Sequence, residues 1–184
     1  VIFIEECRAM KLDYRLPDVN EGEFMFTVNK DGAIVYGLGA IKGLGEGPID
    51  NMIIAREAGG HFTNLFDFCE RTDPRKVNKR AIDALIRSGS FDSLGVDRSV
   101  LLLSMPEAIK AAEQSASNRD AGMADLFGDV VPADEHGDVY ADFRNARPQS
   151  PKEKLGGEKD TLGLYVTGHP IDEYEKELRQ FVRN

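Results

Sequence analysis

The chain of 184 residues is poor in the side chains that most often bind metals or form cross-links. It has two cysteines, Cys7 and Cys69, which lie far apart and belong to no CxxC pair, and three scattered histidines. Metal-ligand spacing is therefore absent, and the pattern predicts neither a zinc site nor a disulfide framework. No apolar run approaches the length of a membrane span, and residues 1–4 are too short for a signal peptide. These absences predict a soluble, cytoplasmic protein with no membrane partner.

The two ends of the sequence lack the features expected of natural termini. The first residue is Val1 rather than an initiator methionine, and the last, Asn184, falls inside a charged helical pattern. A length of 184 residues suits one ordinary domain, or a smaller module with extended flanks. We therefore expect the chain to be a piece of a longer polypeptide.

Charge is distributed unevenly along the chain. The net charge of -9 argues against nucleic acid, whose phosphates favour a basic partner. However, residues 71–87 carry six basic and two acidic side chains, whereas residues 119–151 carry three basic and seven acidic ones. The first stretch is a basic island that could meet phosphates, and the second should stay away from DNA.

The patterning predicts a mainly α fold with a small N-terminal β-hairpin and an irregular acidic connector. Alternating residues over 24–28, the turn-forming pair Asp31 and Gly32, and a return over 34–36 indicate the hairpin. Apolar periodicity with glycine and proline breaks indicates helices elsewhere. The predicted helices cover residues 1–10, 48–58, with Pro48 at the first position, 78–87, 97–116, which Pro106 could kink, 152–163 and 171–182.

The most specific local pattern is a glycine-rich turn before a helix, of the helix-hairpin-helix form. Glycines permit a tight turn and close approach of a ligand, and the amides at the following helix start can hold a phosphate. Such a site reads the DNA backbone rather than the bases. A glycine-rich turn without a ligand is the alternative, and the spacing fits neither a dinucleotide fingerprint nor a P-loop. The predicted phosphate-contacting residues are Lys42, Gly43, Leu44, Gly45 and Gly47.

A second, degenerate hairpin follows the helix predicted over residues 78–87. That helix places apolar side chains on one face and basic side chains elsewhere, and a small-residue turn separates it from the next helix. Two hairpins in tandem could hold two phosphates of one strand, although a basic solvated face over a small core is an equally simple explanation. The predicted contacts are Lys79, Arg80, Arg87, Ser88, Gly89 and Ser90.

An apolar island, residues 123–127, interrupts the acidic connector. A short Leu-Phe pair in such a segment either packs back onto the helices or docks into a pocket of another protein. The island consists of Met123, Ala124, Asp125, Leu126 and Phe127.

Four segments together resemble the C-family of bacterial replicative polymerases, the family of the DNA polymerase III alpha subunit. They are residues 16–20 (LPDVN), 36–45 (YGLGAIKGLG), 88–92 (SGSFD) and 161–170 (TLGLYVTGHP), which occur in the family's order. The resemblance implies that residues 1–36 end a fingers region and that 37–118 form a tandem helix-hairpin-helix domain. It also implies that residues 119–151 are an acidic connector with a clamp-binding motif. Residues 152–184 would then be helices that lead to an oligonucleotide-binding domain absent from this chain.

The resemblance also implies functions that the residues alone do not. The island falls where the family carries an internal clamp-binding pentapeptide, with Met123 in place of the usual glutamine, and this makes the sliding clamp and other replicase subunits expected partners. Magnesium is implied for the parent polymerase, whose catalytic carboxylates lie upstream in the family, and no cofactor is expected in this chain. The chain itself is then a non-catalytic, duplex-binding segment of a nucleotidyltransferase. A helical protein-interaction domain that does not bind DNA, and a helix-hairpin-helix DNA glycosylase or lyase, remain the alternatives.

Overall fold

The computed structural model describes residues 6–7, 9–120, 138–174 and 177. Within these ranges the fold is mainly helical, as the sequence predicts, with a three-stranded sheet near the N-terminus. The strands are β1 (Tyr14–Arg15), β2 (Thr27–Val28) and β3 (Ile34–Val35). The helices are α1 (Glu46–Gly59), α2 (Leu65–Arg71), α3 (Lys79–Arg87), α4 (Arg98–Asp120) and α5 (Pro151–Leu162). No helix of the described part is long and apolar enough to cross a membrane.

The predicted β-hairpin is confirmed, with one additional strand. β2 and β3 pair in antiparallel fashion, with Thr27 opposite Val35, and the turn between them has Gly32 at a φ of 81°. β1 pairs with β3 in parallel and gives the strand order β1-β3-β2. The sequence does not predict β1, because β1 is held by parallel pairing with a strand further along the chain and not by a local hairpin turn.

Helix α1 anchors residues 19–23 through a buried arginine. Arg56 donates hydrogen bonds to the carbonyl oxygens of Val19 (3.3 Å) and Gly22 (2.7 Å) and pairs with Glu23 at 2.7 Å. The helix starts two residues earlier than predicted, so Pro48 lies at its third position, where a missing N–H is still harmless. These contacts hold the chain between β1 and β2 against α1.

The core is built around α2, α3 and α4. The Phe68 ring of α2 contacts the rings of Phe62 and Phe91 edge-on, with centroids 4.9 and 5.0 Å apart. Asn64 and Asn78 cap α2 and α3 by accepting hydrogen bonds from first-turn amides. α2 is not predicted by the sequence, since seven residues span only two helical turns. The predicted buried face of α3 is confirmed and consists of Ala81, Ile82, Leu85 and Ile86.

Helix α5 returns to the same core after the acidic connector. It has a complete capping box between Ser150 and Glu153, and it ends at Gly163, whose φ is 77°. Leu162 and Val166 join the same apolar cluster as the residues of α1 to α4. The predicted boundaries at residues 36, 118 and 151 remain predictions, but one continuous core crosses all three of them.

Candidate nucleic-acid interface

The first glycine turn brings exposed backbone donors to the start of α1. A 3-10 turn over Leu38–Ala40 leads into Gly43, whose φ is 84°, and Gly45 then caps α1 in an extended conformation. Ile41 and Leu44 are buried and anchor the turn in the core. Of the two glycines flanking Leu44, only Gly43 needs to be glycine on conformational grounds.

Three amides at the start of α1 have no acceptor in the part of the chain that the structure describes, and neither has the amide of Gly43 in the turn before them. The three belong to Gly45, Glu46 and Gly47, which are all exposed. The first amides of a helix cannot bond within the helix, and they carry the positive end of its macrodipole. An anion approaching α1 along its axis would therefore meet three free donors, with the carboxylate of Glu46 beside them.

Exposed basic side chains lie at both hairpins. Lys42 is exposed in the first turn, where its amide donates to the carbonyl of Thr161 at 2.8 Å. Lys79 and Arg80 are exposed in the first turn of α3. Arg87 is exposed as well, but it forms an ion pair with Asp83 at 2.8 Å, so part of its charge is already neutralised. Of the four basic residues predicted to contact phosphate, Lys42, Lys79 and Arg80 are the ones with no ion pair in the described chain.

The second turn is built differently from the first. Ser88 and Ser90 are fully buried and their hydroxyls lie 2.7 Å apart. The amides of residues 88–90 all donate to carbonyls at the end of α3. A Cβ added to Gly89 would stand 2.4 Å from Nη2 of Arg98, so the backbone passes directly over that side chain. Ser88, Gly89 and Ser90 thus close α3 internally, with their amides bonded within the chain, and their contact with DNA stays a prediction.

A buried ion network under the second turn was not predicted from the sequence. Arg98, at the start of α4, pairs with both carboxylate oxygens of Asp92 at 2.9 and 2.6 Å and with Glu158 of α5 at 3.3 Å. The side chains of Arg98 and Glu158 are 2% and 0% exposed. The sequence does contain a signal for this burial. Arg98 lies three residues before Leu101, and Glu158 lies four before Leu162, so each charged residue shares a helix face with a buried leucine.

Comparison with known proteins places these features in one family. Residues 11–101 match the family model described as a helix-hairpin-helix motif. The chain is 54% identical, over its full length, to the DNA polymerase III subunit alpha of Pseudomonas aeruginosa, of which it covers 17%. It is 48% identical to that of Escherichia coli and 45% identical to that of Haemophilus influenzae, covering 15% of each over 97% and 96% of its own length. The chain belongs to the DNA polymerase III alpha subunit family. It spans about one sixth of the length of these relatives.

The segments that resemble the family take part in buried contacts of this chain. In residues 16–20 the carbonyl of Val19 accepts a hydrogen bond from Arg56, and residues 36–45 form the first turn. In residues 161–170, the amides of Val166 and Thr167 donate to one oxygen of Glu158 at 2.9 and 3.1 Å, and the Thr167 hydroxyl donates to the other at 2.7 Å. The described contacts of these segments are therefore made within the chain.

Two other expectations for the alpha-subunit segment concern a metal and the clamp motif. Among the described residues, no three His, Cys, Asp or Glu side chains are grouped so that they could hold a metal ion. The clamp-binding candidates Met123, Ala124, Asp125, Leu126 and Phe127 lie outside the described residues.

Proposed function

We propose that this chain is the part of a replicative DNA polymerase that holds duplex DNA by its backbone. The observation that carries the proposal is the group of three free amides at Gly45, Glu46 and Gly47, beside the exposed Lys42. Backbone donors at a helix start suit a phosphate, which is present at every position of a duplex, and they carry no sequence information. The relatives are named as DNA polymerase subunits, which supports DNA as the anion.

The charges of the two hairpins set the expected strength of binding. Lys42, Lys79 and Arg80 are exposed, and the described chain supplies no ion pair for them. Three phosphate contacts predict a slope of about -2.7 for the logarithm of affinity against the logarithm of salt concentration. Duplex affinity should then fall about 40-fold between 50 and 200 mM salt. The overall charge of -9 makes binding weaker still, so we expect weak binding that is independent of sequence.

The test compares two glycines of the same backbone conformation. Gly43→Val introduces a β-branched side chain at a φ of 84°, where such residues are strained, and it should distort the turn that presents the free amides. Gly32→Val is the matched control, because Gly32 has a φ of 81° and, like Gly43, has open space where a Cβ would stand.

We expect Gly43→Val to lose most of its affinity for a labelled duplex, measured by fluorescence anisotropy at two salt concentrations. Gly32→Val should bind as the unchanged protein does. Equal affinity of a folded Gly43→Val protein would dismiss this hairpin as the site. If the unchanged chain shows no salt-dependent duplex binding, the alternative of a helical protein-interaction domain is favoured.

For the whole polymerase we propose DNA-directed nucleotidyl transfer, as the names of the relatives suggest. Nucleotidyl transfer of this class uses magnesium ions held by clustered carboxylates. The residues described here do not fit that ion, since they contain no such cluster. We therefore assign no catalytic step to this chain and expect no nucleotide incorporation by it alone with any divalent metal.

We further propose that residues 123–127 dock into a pocket of the sliding clamp. The support comes from the sequence: an apolar Leu-Phe pair within an acidic stretch that DNA would repel. Met123→Gln should tighten clamp binding by restoring a side-chain amide, and replacing both Leu126 and Phe127 by alanine should abolish it. Duplex affinity serves as the control and should not change in either protein. Unchanged clamp affinity in the double-alanine protein would place the clamp site elsewhere in the polymerase.

A further inference from the structure

Helix α5 lies against both hairpins, although it is outside the matched residues 11–101. At its C-terminal end, the carbonyl of Thr161 accepts the amide of Lys42 from the first turn at 2.8 Å. One helical turn earlier, a Cβ added to Gly157 would stand 2.9 Å from the carbonyl oxygen of Arg87, at the second turn. Four helical residues correspond to about 6 Å along the axis. α5 therefore fixes how far apart the two hairpins are.

The end of α5 also adds a basic side chain beside the first hairpin. Lys159 is exposed, and its ammonium group donates to the carbonyl oxygen of Gly163 at 3.2 Å. It lies 5.4 Å from the centre of the Tyr165 ring, which favours the cation through its π face. A Cβ added to Gly163 would be 3.5 Å from Nζ of Lys42. The ammonium groups of Lys42 and Lys159 thus both flank Gly163.

From this arrangement we infer that Lys159 contacts a phosphate next to the one held by the first hairpin. The inference rests on the proposed function and extends the duplex-binding surface onto α5. An ammonium group has three donors, and the bond to Gly163 uses one of them. Two like charges near one glycine repel each other, and a phosphate between them would relieve that repulsion. Glu46 at the start of α1 and Asp160 of α5 are exposed as well, and their negative charges would repel an anion. A phosphate held here therefore needs both ammonium groups.

The alternative role for Lys159 is purely structural, since a lysine at the end of a helix stabilises the last carbonyls and the negative end of the dipole. The two roles differ in their salt dependence. A phosphate contact makes the slope of the logarithm of affinity against the logarithm of salt concentration steeper by about 0.9. A helix cap changes the melting temperature and does not change that slope.

The experiment measures duplex binding of the 184-residue chain over a salt series, together with its thermal unfolding. Lys159→Gln should reduce the slope by about 0.9 and the affinity at 0.1 M salt by about eightfold. Lys159→Arg should restore both, because it keeps the charge. Lys152→Gln is the matched control, an exposed lysine of the same helix about 10 Å further along its axis, and it should change affinity less than twofold.

An unchanged slope in a folded Lys159→Gln protein would overturn the inference and leave the hairpin proposal standing, provided that Gly43→Val still loses affinity. An equal loss in Lys152→Gln would also overturn it, because the effect would then be one of total charge. Absence of duplex binding by the unchanged chain would overturn both proposals.

Discussion

The buried carboxylate of Glu158 offers the clearest test of how this fold is held together. It is fully buried and makes four polar contacts, to the Arg98 guanidinium and to the two amides and one hydroxyl of residues 166–167. Glu158→Gln keeps the size of the side chain but replaces one accepting oxygen with an NH2 group. That group would face either the guanidinium of Arg98 or the amides of Val166 and Thr167, all of which are donors, so at least one buried donor loses its partner.

The cost of this change comes from the buried donors that lose a charged partner, since Arg98 itself keeps its pair with Asp92. Removing one partner of a buried ion pair typically costs about 3–5 kcal/mol, and the amide of glutamine retains part of the hydrogen bonding. We therefore expect the free energy of unfolding of Glu158→Gln to fall by about 3 kcal/mol. For a chain of this size, that lowers the melting temperature by roughly 6–12 °C.

Urea unfolding followed by circular dichroism at 222 nm would measure the change, since the chain has no tryptophan to report by fluorescence. Asp160→Asn is the matched control, an acid-to-amide change at an exposed position of α5, and should stay within about 0.5 kcal/mol of the unchanged protein. A loss below about 1 kcal/mol for Glu158→Gln would refute the reasoning. Replacing both Arg98 and Glu158 by methionine should cost less than the sum of the single replacements, because no unpaired charge of this pair then remains.

Three further predictions concern other buried contacts. Gly89→Ala should destabilise the chain by more than about 2 kcal/mol in urea unfolding, because it combines a φ of 83° with a Cβ contact at 2.4 Å, whereas Gly95→Ala, at a φ of 73° in open space, should cost only about 1 kcal/mol. Burial opposes ionisation of Asp97, but hydrogen bonds from neighbouring groups outweigh it and lower its pKa to about 2. Because the folded-state pKa lies below the unfolded value, the stabilisation is present above about pH 4 and is lost as the pH falls through about 2. The stability difference between the unchanged chain and Asp97→Asn, measured by urea unfolding from pH 5 to 2, should shrink accordingly; a constant difference would contradict the assignment. Burial raises the pKa of Cys69 to about 12, so iodoacetamide at pH 8 should leave this thiol unmodified in the folded chain and modify it after unfolding, as read by mass spectrometry.

The elements that sequence reasoning finds correctly are those with a local cause. The hairpin turn at Gly32 and the buried face of α3 depend on residues within a few positions of each other. The first glycine turn is also local, since the positive φ of Gly43 is one that a glycine adopts without strain. Adjacent residues are enough to indicate such features, because turn and helix geometry repeat over three or four positions.

The second turn shows where this reasoning fails. Ser88, Gly89 and Ser90 have the composition of an exposed hairpin, but Leu16 and Arg98 cover the turn from other parts of the chain. A contact between residue 89 and residue 16 has no signature in the local pattern. Burial of a turn depends on tertiary packing, and the small residues are required here because another side chain passes close to the backbone.

Helix α5 contacts both hairpins, but the ribosome synthesises it after both of them. Glu158 follows Arg98 by 60 residues, and Thr161 follows Lys42 by a much longer interval. A ribosome adds about 5–20 residues per second, so Glu158 is synthesised roughly 3–12 s after Arg98. During that interval Asp92, which is already made, is the partner within reach of the guanidinium. The hairpins therefore gain their final rigidity only seconds after their own residues have been synthesised.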